Sequence, residues 1–98
     1  MNTYYILIGN KQFLLNYEPV EEILRERHED YLNKKKSLDF KVVIDENFFN
    51  SEEIKNVKNL IPKEPAAIIS NDLEFINWLN LRLNYVIKYQ IQTDKILI

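Results

Sequence analysis

The chain has no cysteine, one glycine, one histidine and three arginines among its 98 residues. Without cysteine there is no disulfide, no thiolate nucleophile and no thiolate metal site. With Gly9 as the sole glycine, there is no phosphate-cradling loop and no dinucleotide fingerprint. Ser37, Ser51 and Ser70 likewise lack a glycine-flanked elbow or a histidine in a recognisable arrangement. The lone His28 is preceded three positions earlier by Arg25, so the Glu-x-x-His pairs of a di-iron helix bundle are missing. These absences point away from catalysis and from a resident metal or cofactor.

Long apolar runs are also lacking. No stretch approaches the roughly 20 residues that a membrane-spanning helix needs. The opening MNTYYILIG has neither a basic signal region nor a Ser/Arg-rich transit segment, and the protein is expected to stay where it is made. A net charge of −2 and a pI near 5.4 give no clustered positive surface for phosphates, so nucleic acid is not an expected partner. The run Lys34 to Lys36 reads as a helix C-terminus, where cations complement the macrodipole.

What is present is the balance of a folded protein, 46% hydrophobic and 29% charged. It fits a single domain over residues 1–98. TYYILI, from Thr3 to Ile8, is aromatic and β-branched, hence a strand, and Gly9-Asn10-Lys11 suggests a turn into a short strand, Gln12 to Leu15. Val20, Ile23, Leu24, Tyr31 and Leu32 recur at helical spacing, with His28 on their side in a packing role, which predicts a helix from about Glu18 to Lys35. LDFKVVI alternates as a strand from Leu38 to Ile44. Asn50 with Glu53 resembles a capping pair for a short helix presenting Ile54, Val57 and Ile61 and ending at Pro62. AAIIS, after Pro65, is apolar without alternation and predicts a strand covered on both faces. Asn71 with Glu74 opens a last helix, and Tyr85 to Gln92 alternates as a last strand. The predicted fold class is α+β: a small single-domain sandwich, a mostly antiparallel sheet packed with about three helices.

Within the last helix, Phe75, Ile76, Trp78, Leu79 and Leu83 fill one arc, and Arg82 projects between Trp78 and Leu79. Glu74, Asn77, Asn80 and Asn84 already provide a polar face, so the arginine is out of place there. Two readings account for it. It pairs with Asp39 inside the fold, or it is a hot spot for another protein in an aromatic and apolar surround. The two are compatible, because an ion pair can hold the arginine in the orientation a partner recognises.

Most of the chain resembles the hypothetical chloroplast reading frame fifty-four family of plastids and cyanobacteria. The likeness lies in TYYILI, KQFLLNYEPVEEILRERHEDY, LDF, PAAIIS and FINWLNLRLNYV, in that order and spacing. The resemblance implies an accessory factor, not itself a catalyst, that binds the di-iron subunit of the magnesium-protoporphyrin IX monomethyl ester oxidative cyclase in chlorophyll biosynthesis. It carries over Asp39, Phe40 and Arg82 as partner-binding positions; Trp78, Leu79 and Phe75, from the apolar arc around Arg82, are the candidate supporting surface, and no cofactor is expected. It places the protein in the chloroplast or the cyanobacterial cytoplasm, associated with membrane through its partner. Lys41 departs from the tryptophan frequent in relatives, and His28 from a tyrosine. A homodimer through the same apolar face is compatible with this reading. The alternative is a carrier holding a magnesium tetrapyrrole against Trp78, Tyr85 and Phe75, with His28 as axial ligand.

Overall fold

The computed structural model describes residues 2–16, 18–52, 54–61, 64–83 and 85–98. In chain order the elements are β1 (Asn2–Asn10), α1 (Lys11–Asn16), α2 (Glu18–Asn33), β2 (Phe40–Val43), α3 (Glu46–Phe49), α4 (Lys55–Lys58), β3 (Pro65–Ser70), α5 (Leu73–Arg82) and β4 (Val86–Thr93). The four strands form one sheet in the order β2-β3-β1-β4, with every pairing antiparallel. The α+β class with an antiparallel sheet is as expected.

Alternation in the central strands divides the core between the two sheet faces. Leu7, Ala66 and Ile68 point to a layer built from Leu14 of α1, Val20 of α2 and Phe75, Ile76 and Leu79 of α5. Ile6, Ile8, Ala67 and Ile69 point to the other side, under Phe49 of α3, Ile54 and Val57. With both faces covered, β3 has no solvated side, which is why AAIIS lacks alternation.

Several local boundaries differ from the sequence reading. Gln12 to Leu15 is helical: the Asn10 side-chain oxygen accepts from the backbone N–H of Gln12 at 2.9 Å and of Phe13 at 3.3 Å. An asparagine that satisfies these orphan donors starts a helix where a turn into a strand was expected. Gly9 sits at a close approach: a Cβ there would lie 3.1 Å from Val86 Cγ1 and 3.3 Å from the Tyr85 carbonyl, so a side chain would require these neighbours to give by a few tenths of an ångström.

β2 is confined to Phe40–Val43, leaving Leu38 and Ile44 exposed. α3 was not foreseen; Asp45 caps it by accepting from the Asn47 N–H at 3.0 Å. Asn50 closes α3 instead of opening α4, whose start at Ile54 has no side-chain cap; Glu53, Pro62 and Asn84 lie outside the described residues. The cap of α5 is Asp72, accepting from the N–H groups of Glu74 and Phe75, where Asn71 was expected.

α2 stops at Asn33, two residues short of the expected Lys35, and the physical reason is a left-handed turn. Lys35 has φ 55°, while the Lys36 N–H reaches back to the Tyr31 carbonyl at 2.9 Å. That is the bond pattern of a helix terminus usually completed by glycine. Lys35→Gly is therefore expected to raise stability by about 0.5–1 kcal/mol in urea unfolding, because a Cβ is strained at that φ.

Candidate functional site

Three segments meet at one end of the sheet face that bears α2 and α5: the middle of α2, the turn into β2 and the start of α5. The connection is Arg27. Its Nε donates to Asp39 Oδ1 at 3.0 Å, and its Nη2 donates to Asp39 Oδ2, to Asp72 Oδ2 at 3.1 Å and to the Tyr31 hydroxyl at 3.1 Å. Tyr31 in turn donates to Asp39 Oδ2 at 2.8 Å. The guanidinium carbon lies 3.8 Å from the centre of the Phe75 ring. That distance adds a cation–π contact to a forked ion pair. Ser70 completes the junction by donating its hydroxyl to the Asp39 carbonyl at 2.6 Å and accepting from the Asp72 N–H at 3.0 Å.

This arrangement overturns the Asp39–Arg82 pair. Asp39 is satisfied by Arg27 and Tyr31, and its side chain is only 14% exposed. Arg82 instead is exposed as the last residue of α5, its guanidinium stacked 3.7 Å from the Trp78 ring centre while Nη1 donates to the Trp78 carbonyl at 3.2 Å. A cation in the last helical turn complements the macrodipole, which accounts for the misplaced charge. The buried stripe of α5 is narrower than expected, limited to Phe75, Ile76 and Leu79, with Leu83 buried just beyond. Trp78 lies on its flank, 39% exposed.

Burial works to raise the Asp39 pKa, yet the hydrogen bonds from Arg27 and Tyr31 and the arginine's charge outweigh it and hold the carboxyl below its ordinary value. The hydrogen bond to Asp39 raises the Tyr31 hydroxyl above its own, with burial acting in the same direction. A depressed folded-state pKa contributes stability that is fully present above the unfolded value of about 3.9 and is lost as pH falls through the folded one. Urea midpoints measured from pH 7 down to pH 3 are accordingly expected to fall less steeply below about pH 4 in Asp39→Asn than in the unchanged protein.

Phe40 packs on Phe75 with ring centres 6.1 Å apart. Phe75 and Trp78 both line an open groove of about 480 Å³ between α2 and α5, shared with Ile23, Arg27 and Glu26. Asp39, Phe40, Phe75, Trp78 and Arg82 thus form a connected row, whereas Leu79 is fully buried and belongs to the core. The groove is not lined by Tyr85 or His28. Tyr85 packs edge-on against Phe13 at 6.2 Å, and His28 is exposed on α2, contrary to its expected packing role. The four aromatic and imidazole groups of the carrier reading are therefore not brought together. Among the described residues, no three histidine or acidic side chains are placed to hold a metal ion, and no helix is long and apolar enough to cross a membrane.

Sequence reasoning looked for a misplaced charge in α5 and missed the one in α2. Val20, Ile23, Leu24, Arg27 and Tyr31 share one helical stripe, with Arg27 in its middle. That spacing is the signal by which the residue could have been found.

A profile of the Ycf54 protein family matches residues 2–93. The uncharacterized protein ycf54 of Pyropia yezoensis is 43% identical over 86 residues, an alignment covering 88% of this chain and 78% of that one. The Ycf54-like protein of Synechocystis is 44% identical over 87 residues, 89% of this chain and 65% of that one. Among solved structures, the Ycf54 protein of Synechocystis superposes with a TM-score of 0.86 at 40% identity, covering 97% of this chain and 90% of that one. The Ycf54 protein of Thermosynechococcus elongatus gives a TM-score of 0.81 at 40% identity, over 92% and 84% of the two chains. Such relatives come from red-algal plastids and from cyanobacteria.

Proposed function

The chain belongs to the Ycf54 family, and on that premise we propose that it is a non-catalytic accessory factor binding the di-iron subunit of the magnesium-protoporphyrin IX monomethyl ester oxidative cyclase. By supporting assembly of that enzyme it assists formation of the fifth ring of protochlorophyllide. It acts in the plastid stroma or the cyanobacterial cytoplasm and reaches the membrane through its partner.

One observation carries the reading: the exposed end of α5. Trp78 is 39% exposed under the Arg82 guanidinium, Leu81 is 84% exposed, and Tyr85, three residues beyond the helix end, is 87% exposed. Tryptophan, tyrosine and arginine with an apolar neighbour are the composition that dominates interface energetics. In this account Arg82 and Trp78 touch the partner. Asp39 and Phe40 support them from beneath, through Arg27 and Phe75.

The test is capture of the cyclase subunit by tagged protein. Trp78→Ala and Leu81→Glu are each expected to reduce recovery at least about tenfold, the range of a moderate hot spot. As a nearly fully exposed substitution, Leu81→Glu is expected to leave stability within about 0.5 kcal/mol. Undiminished recovery in both variants would remove this surface from the account. Spectral change on titrating a magnesium tetrapyrrole into the purified protein would favour the carrier reading instead.

A further inference from the structure

We propose that the free edge of β4 pairs with the β4 edge of a second copy, antiparallel and centred on Tyr89, so that two four-stranded sheets join into one of eight strands.

β4 is eight residues long, about 27 Å of strand. It has β1 on one side and, among the described residues, no further strand on the other. Folded proteins blunt such an edge with proline, bulges or outward charges, because its unpaired N–H and C=O groups are a template for another strand. The opposite edge, β2, is only four residues long and carries Lys41. In β4, VIKYQIQT contains no proline, and Lys88 is its single charge. That lysine does not guard the edge: its Nζ is drawn to Asn77 Oδ1 of α5 at 2.6 Å, back over the sheet face. The residues after β4 leave the edge clear as well. They turn across the opposite face, where the Lys95 carbonyl accepts from the Tyr4 hydroxyl at 3.4 Å and the Leu97 N–H donates to that hydroxyl at 3.0 Å.

The strand is complementary to itself in one register. The pairing with β1 sets Ile87, Tyr89 and Ile91 on the face bearing α3 and α4, and Val86, Lys88, Gln90 and Gln92 on the face bearing α5. Directly opposed residues of an antiparallel pair share a face, so a twofold axis normal to the sheet runs midway between the strands and sets one residue opposite its own copy. Centred on Tyr89, it places each Ile87 opposite an Ile91, Tyr89 opposite Tyr89, and each Lys88 opposite a Gln90. Centring on Lys88 opposes two like charges, and centring on Gln90 exchanges the Ile87–Ile91 pairs for Ile87–Thr93. In a single copy Ile87 and Tyr89 are only partly buried at the margin of the core. The Tyr89-centred register continues that core into the second copy.

The cysteine-free chain allows a direct test. Single variants Lys88→Cys, Tyr89→Cys and Gln90→Cys are treated with a short bis-maleimide, and covalent dimer is measured. Highest yield for Tyr89→Cys is expected; a maximum at either neighbour, or no dimer above that given by an exposed α2 control, Glu29→Cys, overturns the proposal. A charge pair gives a second, independent readout by sedimentation. Gln90→Lys meets Lys88 of the other copy twice, and the dimer dissociation constant is expected to rise about fivefold. Gln90→Glu is expected to lower it. Indifference to the sign of charge at position 90 overturns the register. These solution measurements contain no cyclase subunit, so their outcome is separate from that of the capture experiment.

Discussion

Arg27→Ala is expected to lose about 3 kcal/mol of folding stability, the low end of what breaking a buried ion pair costs. The low end applies because Arg27 and Asp39 retain 21% and 14% of their side-chain exposure. The substitution leaves Asp39 within the turn before β2 with Tyr31 as its remaining side-chain donor. It also withdraws the cation from the Phe75 ring and frees Asp72 Oδ2 at the start of α5. Three segments distant in sequence lose their common tie. A double-mutant cycle between Arg27 and Asp39 is expected to give a coupling of at least about 1 kcal/mol, while Asp39 and Arg82 are expected to add within about 0.5 kcal/mol. Chemical denaturation of the four variants in each cycle measures both. Strong coupling of Asp39 to Arg82 would contradict the assignment.

A larger loss, about 3–5 kcal/mol, is expected for Phe49→Ala. Phe49 lies in a four-residue helix yet is only 1% exposed, stacked edge-on against Phe48 at 5.1 Å and packed into the layer that covers Ile8, Ala67 and Ile69. α3 and α4 are too short to hold their shape alone, since helix nucleation is unfavourable and a single turn recovers little. Their order derives from burying Phe49, Ile54 and Val57, and removing the largest of these leaves a cavity that short helices refill incompletely. A Phe49→Ala protein within 1 kcal/mol of the parent in urea unfolding would show that this layer contributes little to the core.

These two residues also show how far the sequence was legible. Strands β1, β3 and β4 stood out because β-branched and aromatic runs of that length have few other uses, and AAIIS announced a two-sided burial that the sheet order then explains. α3 was hidden because ENFF is too short for periodicity to be counted. Its only signal was Asp45 as a cap. α1 was hidden by Asn10, which serves a turn and a helix start equally well until the chain direction is known.

At the site, Phe40, Phe75, Trp78 and Arg82 were selected by residue type and resemblance, and the structure arranges them in a row with Asp39. The pairing was misassigned for a physical reason: Arg82 and Arg27 each interrupt an apolar helical stripe, and only the tertiary arrangement decides which reaches Asp39. Helix α5 ends at Arg82, so that side chain turns back on Trp78 and its own last turn. Arg27, in mid-helix over the end of β2, has no such exit.

The central claim is that Arg82 contributes to a partner surface and not to the interior. It is tested most directly by measuring two properties of Arg82→Ala together: affinity for the purified cyclase subunit and thermal unfolding of the variant alone. The account predicts affinity weakened at least about thirtyfold, the equivalent of 2 kcal/mol at a hot spot, with unfolding within about 2 °C of the parent. Unchanged affinity, or a fall in melting temperature large enough to explain the loss of binding, would contradict it.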